Sequence, residues 1–456
     1  EIGSGLVGSE MCIRDRKRDD PTTGSAGINM QNQHKRSDPL VIGLALFAMF
    51  FGAGSLIFPP YLGMESGTQW FLGFLLFIIM DVGLAFVTMV AMINGDGRIS
   101  GVTGVIGKLP ALILNTAVVV CIGPLLAIPR TAATTYEMTI TPIIPGTSPV
   151  LVAVIYFALV FVLTIKPSKV VDIVGKFLTP LMVIALIVLI VAGVISPLGP
   201  ISEPVISNVV AEGIINGYQA MDVLGALGFA IVICSTVTDR GYTEHRERTR
   251  ITTISCVLAG VLLFIIYCGL TYLGATYSTL ENIANVNQAS LIVTITECLL
   301  GRFGVIMLGV IVGLACLTTA IGLTAASAEY FENITHGKLK YGVVVGIICV
   351  FSAVVSSFGL STIISIATPI LCVVYPVIVC LILLSFFKKK LCNRNVYKGA
   401  ALAAFIVSLL TIAVSYGRPF QFIDVLPLSE YQLNWIIPAV VGGIIGALIP
   451  DRTQQT

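Results

Sequence analysis

The chain has 456 residues, of which 56% are hydrophobic and only 11% charged, and its mean hydropathy is +0.97. Soluble domains carry about 25% charged residues, so this composition excludes an ordinary soluble enzyme or binding module and points to a polytopic, all-α membrane protein. The net charge of +2 comes from short scattered loops without aromatic interleaving, which gives no support to nucleic-acid binding.

Residues 1–29 are polar, charged and rich in Gly and Ser, with no apolar stretch of the signal-peptide kind. They are expected to be a foreign or disordered tail. Met30 is the expected start, and 30–39 a short cytoplasmic N-terminus. A membrane-crossing helix needs about 20 mostly apolar residues. Twelve segments meet that need: 40–60, 69–93, 110–136, 149–166, 171–195, 218–239, 251–275, 303–330, 341–358, 366–387, 398–416 and 434–450.

Charge sets their direction. Four of the 26 Lys and Arg fall in the tail. Of the other 22, an inside N-terminus leaves 19 in cytoplasmic segments: Lys35, Arg36, Arg98, Lys108, Lys166, Lys169, Lys176, Arg240, Arg246, Arg248, Arg250, Lys338, Lys340, Lys388, Lys389, Lys390, Arg394, Lys398 and Arg452. Two, Arg302 and Arg418, fall outside, and Arg130 lies within a span. Positive-inside bias of this size predicts cytoplasmic termini.

Span one, LVIGLALFAMFFGAGSLIFPP, is broken at mid-depth by Gly52-Ala53-Gly54-Ser55 and closed by Pro59-Pro60. Unwound backbone survives in a bilayer only where it lines a cavity or is buried in protein. Span six carries a second interruption at Asp222–Gly228, and Gly225 follows Gly52 by 173 residues, five spans later. An odd number of spans inverts the second unit, and matched breaks in two such units are the sequence pointer to an inverted-repeat transporter. The implied organisation is repeat one over 40–195, repeat two over 218–387, and two extra spans over 398–450. The competing reading of each glycine cluster is close helix packing.

Span eight, GVIVGLACLTTAIGLTAASAEYF, places Ala315, Thr318 and Thr319 on one helix face. Two hydroxyls and a carbonyl suit a small hard cation. The alternative is hydroxyls bonded back to the preceding turn. Ionisable residues inside spans are costly and usually functional. Asp81, Arg130 and Asp222 qualify. Asp222 is placed to attract a substrate ammonium or to accept backbone hydrogen bonds. Arg130, in the outer part of span three, is placed to gate a vestibule or pair with an acid. A structural ion pair or a snorkelling side chain is the alternative for all three. Glu137 reads as solvated near a helix end. The 11 cysteines sit mostly in apolar runs with no CxxC pair, so they read as packing residues. There is no GxSxG, P-loop or His cluster, which predicts no enzyme, no ATP-driven pump and no cofactor.

Four motifs, GLALFAMFFGAGSLIFPPYLG, IGPLLAIPRTAATTYE, YQAMDVLGALGFAIV and LACLTTAIGLTAASAEYF, resemble the bacterial branched-chain amino acid carriers. This is the leucine/isoleucine/valine:cation symporter family of the APC superfamily. The resemblance covers about Lys35 to Asp451, and the tail departs from it. It implies the LeuT-like five-plus-five fold and a secondary transporter in the bacterial inner membrane. Leucine, isoleucine or valine would enter with Na⁺ as coupling ion and with no obligate protein partner. It also implies roles. Backbone amides of Gly52, Ala53, Gly54 and Ser55 would hold the substrate carboxylate. Carbonyls of Phe50 and Phe51 would hold its ammonium. Ala226, Leu227 and Phe229 would line the aliphatic pocket. Ala315, Thr318 and Thr319, with carbonyls of Ala48 and Phe51, would bind Na⁺. Proton-coupled symport and a passive channel or facilitator are the alternatives.

Overall fold

The computed structural model describes residues 38–94, 99–165, 169–242, 244–281, 286–388, 390–417 and 423–451. The tail 1–29, most of the 30–39 segment, and Lys35, Arg36, Arg98, Lys166, Lys389, Arg418 and Arg452 lie outside these residues. The regular elements among the described residues are all helices, without a strand.

Helical elements fall on each predicted segment. Among the described residues, six continuous helical runs are long and apolar enough to cross a membrane unaided, and shorter apolar helices fall on other spans. Outward faces remain greasy: Val154, Ile155, Ile347 and Val350 are 55–69% exposed. Such a surface suits lipid and would be a liability in water.

Span one is two helices, Asp38–Phe50 and Ala53–Ser66. The Phe51 amide still reaches the Phe47 carbonyl at 2.8 Å. Gly52 then turns to extended backbone (φ −119°, ψ −163°), which ends the first helix. The Pro59-Pro60 pair does not end the span, as the sequence suggested; the helix runs on to Ser66. Proline has no amide to give its i−4 carbonyl, so the carbonyls of Ser55 and Leu56 are left without that helical bond. The bilayer demand is met because this half is buried against span seven. A side chain at Gly63 would strike the Thr271 carbonyl, and one at Gly274 the Pro60 carbonyl. Small residues here set the helix spacing.

Span six is likewise two helices, Val209–Ala220 and Asp222–Asp239. Its break lies earlier than the glycines at 225 and 228 suggested. Those two are helical, and the single residue Met221 adopts a left-handed conformation (φ 70°, ψ 14°). A non-glycine residue there costs about 1–2 kcal/mol, a strain of the kind that gathers at functional sites. Span two opens into a π turn over Ile79–Gly83, with Asp81 at its centre. Span three bends at Gly123-Pro124 through a second π turn. The first turn buries Asp81, and π turns recur at functional sites. The long run Ser290–Ile334 kinks at Gly301, which separates a short outer helix from span eight.

Candidate functional site

The two broken spans meet. Gly52, Ala53, Gly54 and Ser55 from span one line a cavity with Ala220, Met221, Asp222 and Gly225 from span six. Met49, Phe50, Ile122, Ala127, Phe229 and Leu323 supply an apolar wall, and Arg130, Thr131 and Thr319 add polar groups. Phe50 stands edge-on to Phe229, with ring centroids 5.5 Å apart. The space open to water centres is about 50 Å³. At ~10–15 Å³ per water this holds a few waters. An amino acid needs the walls to move apart.

The span-one segment presents donors. Ala53, Gly54 and Ser55 form the first turn of the second half-helix, where amides have no intrahelical partner and the helix dipole is positive. The Gly52 amide is engaged, donating to Ser55 Oγ at 3.2 Å. Ser55 Oγ also lies 2.6 Å from the Tyr267 hydroxyl and donates to the Phe50 carbonyl at 3.3 Å. A side chain at Gly52 would meet nothing within 4 Å, so this glycine faces open space. A Cβ at Gly54 would sit 3.1 Å from Arg130 Nη2 and 3.3 Å from Ala220 Cα. Gly54 is therefore also the contact between the two breaks.

Arg130 is not in an outer vestibule. It is 6% exposed and bound at the span-six break. Nη1 donates to the Gln219 carbonyl at 2.6 Å and Nη2 to the Ala220 carbonyl at 3.1 Å. These carbonyls end a helix, where a cation offsets the negative dipole. The guanidinium carbon lies 5.6 Å from the Phe58 ring centroid. Asp222 is the electrostatic neighbour of Arg130, but the two do not form a direct salt bridge among the described residues. Asp222 and Asp81, 8% and 0% exposed, face each other. Both Asp81 oxygens and Asp222 Oδ2 lack a hydrogen-bond partner of good geometry.

Other expected residues are scattered around this centre. Thr319 lines the cavity; Thr318, Ala315, Ala48 and Phe51 do not. Thr318 and Thr319 both donate to the Ala315 carbonyl, at 2.9 and 3.0 Å. This back-bonding uses their protons and leaves oxygen lone pairs free, so it coexists with a cation-accepting role. Phe51 stacks on Phe47 at 5.3 Å and lies 6.2 Å from the Tyr267 ring. Ala226 and Leu227 are fully buried behind the cavity wall, while Phe229 reaches it. Glu137 is not a solvated end residue. Its Oε1 accepts the Leu360 amide at 3.2 Å, capping span ten after Gly359.

Sequence reasoning passed over Tyr267 and Tyr375, whose only signal was a tyrosine deep in an apolar run. It also missed a latch at the far end of span one. Arg240 Nη1 donates to Asp38 Oδ1 at 2.6 Å and the Tyr242 hydroxyl to Asp38 Oδ2 at 3.1 Å. The latch ties the start of span one to the end of span six.

The model of the family described as branched-chain amino acid transport protein matches residues 35–453. The chain belongs to that family. It is 37% identical over 435 residues to the branched-chain amino acid permease BrnQ of Salmonella typhimurium, covering 93% of this chain and 98% of that one. Among solved structures it is similar to Mhp1, a nucleobase-cation-symport-1 family transporter closed around bromovinylhydantoin. There the TM-score is 0.63 with 14% identity, over 90% of this chain and 91% of the other. A Na⁺-coupled sialic acid symporter, outward-open with substrate bound, gives a TM-score of 0.59 and 14% identity over 91% and 90% of the chains. These likenesses establish the LeuT-like fold expected above. Member and neighbours are transport proteins, so the chain is a multi-pass membrane transporter and not an enzyme.

Proposed function

We propose that the protein imports leucine, isoleucine and valine across the bacterial inner membrane by symport with Na⁺, through alternating access. The observation that carries this reading is the cavity where the two broken spans meet. It offers an amino acid what it needs. The free amides of Ala53, Gly54 and Ser55 suit its carboxylate. The Phe50 and Phe51 carbonyls, with Asp222, suit its ammonium. Phe229 and the apolar wall of Phe50, Ile122 and Leu323 suit a branched aliphatic side chain. Ala226 and Leu227 act one layer behind. A pocket separates one methylene by only ~1–3 kcal/mol, so the three substrates overlap.

Na⁺ takes the space beside Thr319, with Thr318, Ala315 and carbonyls of Ala48 and Phe51 as further oxygen ligands. Family membership and the name of the Salmonella relative support the substrate class. Charge bias supports cytoplasmic termini. The repeats are taken as 40–195 and 218–387, followed by spans over 398–450.

The test is uptake of radiolabelled leucine into proteoliposomes with an imposed Na⁺ gradient, with a pH gradient alone, and with neither. Accumulation above the outside concentration only with inward Na⁺ is expected. Accumulation driven by the pH gradient alone would make the protein a proton symporter. Equilibration without accumulation would make it a facilitator.

A further inference from the structure

Two carboxylates and one guanidinium share a single buried centre. Asp81 comes from the π turn of span two, Asp222 from the start of the second half of span six, and Arg130 from span three. Their exposures are 0%, 8% and 6%. The other titratable groups facing them are the hydroxyls of Tyr267 and Tyr375 on spans seven and ten, and the Cys316 thiol of span eight. The Tyr267 hydroxyl is held by Ser55. Among the described residues no further cation faces the centre. With both acids ionised the centre is one positive charge short. An uncompensated charge in a buried membrane site costs several kcal/mol.

We infer that Asp81 and Asp222 bind one proton between them, forming a proton site beside the substrate cavity and separate from the Na⁺ position at Thr319. Local geometry fixes where the proton resides. Asp222 opens a helix, where the dipole favours a carboxylate, and Arg130 is its neighbouring cation. The proton therefore sits on Asp81, which donates its O–H to the Asp222 carboxylate. Both Asp81 oxygens and Asp222 Oδ2 are buried without a partner of good hydrogen-bond geometry, and the Asp222 backbone amide also faces Asp81. A proton needs no volume. Na⁺ needs several oxygen ligands, and the cavity reaches Asp222 without reaching Asp81. Release of the proton leaves two anions facing each other across spans two and six. Repulsion then pushes the break at Met221 away from the π turn, and pH thereby acts on the opening of the cavity.

The first arm of the test uses no substrate, so it stands apart from the transport reading. Purified protein in detergent, in Na⁺-free buffer near neutral pH, is compared by infrared spectroscopy with Asp81→Asn and Asp222→Asn. The wild type is expected to show a protonated-carboxyl C=O band that both variants lose, over the background of the other buried carboxyls, Glu65 and Glu137 among them, which all three proteins share. Removing either acid leaves a neutral Asp–Arg130 pair and releases the proton. Difference spectra (wild type minus variant) with no lost carboxyl band, or with a loss in only one variant, overturn the shared site. Bleaching of the wild-type band by added Na⁺ overturns it too, because Na⁺ would then be the occupant. Circular dichroism and thermal unfolding of each variant establish that it is folded; Asp→Glu at either position is expected to restore the band in any that is not. The second arm, which rests on the transport reading, follows leucine uptake at a fixed Na⁺ gradient. A tenfold proton gradient is expected to change the wild-type rate several-fold and the Asp81→Asn rate not at all. An equal response in the two overturns the coupling, whereas absence of leucine uptake by the wild type would fault the transport reading alone.

Discussion

Gly54→Ala offers a sharp probe of the contact between the two breaks. The added methyl meets Arg130 Nη2 at 3.1 Å, Ala220 Cα at 3.3 Å and Phe58 Cε2 at 3.3 Å. Two effects oppose each other in stability. Alanine favours the helix by ~1 kcal/mol over glycine, while overpacking costs ~1–3 kcal/mol. The overpacking cost here is that of displacing Arg130 and is not additional to it, so the net change in stability is small, about 0–2 kcal/mol. Function responds differently. Ala220 Cα is backbone and yields little, so Arg130 gives way, and its Nη2 bond to the Ala220 carbonyl at 3.1 Å is the bond lost. A hydrogen bond from a charged group is worth ~1.5–3 kcal/mol, equivalent to roughly 10- to 150-fold in an equilibrium. Leucine uptake should fall by at least roughly tenfold, while the thermal midpoint in detergent moves by only a few degrees. Gly342→Ala, in span nine and away from the cavity, is the control. Its methyl meets nothing within 4 Å, and uptake should be unchanged. If Gly54→Ala transports like the wild type, or if Gly342→Ala is the more damaging, Arg130 does not hold the breaks together.

Thr319→Val should raise the Na⁺ concentration needed for half-maximal uptake more than Thr318→Val, because only Thr319 lines the cavity; equal effects, or none in the double variant, would refute the cation position. Arg240→Gln removes the 2.6 Å pair with Asp38, whose partners are 33% and 8% exposed. The cost should fall between the exposed and buried ranges, about 1–2 kcal/mol. It should appear as faster hydrogen exchange over the first turns of span one, and unchanged exchange there would mean that the latch does not restrain that helix.

The apolar helical segments were legible in the sequence because lipid imposes one rule at every residue: apolar outside, backbone bonds closed within the helix. A run of 20 such residues declares itself without any partner. The break at Gly52 was legible for the same reason, since Gly-Ala-Gly-Ser in such a run violates the rule. The second break was misplaced. Glycines at 225 and 228 drew attention to the wrong turn, whereas the chain bends at Met221, a residue with no local preference for a left-handed conformation. Tertiary packing imposes that strain. Asp81, Arg130 and Asp222 were visible as ions in greasy segments, because their cost is local. Their grouping was not, because it depends on a π turn in span two, a bend in span three and a break in span six arriving at one point. The same holds for Glu137, which reads as a helix-end acid and becomes a cap on span ten, and for the Asp38–Arg240–Tyr242 latch, whose partners lie 202 and 204 residues apart. Composition and periodicity act on neighbours along the chain and so determine the helices. Charge balance in a buried centre acts between helices, and only the packed structure decides which charges must balance.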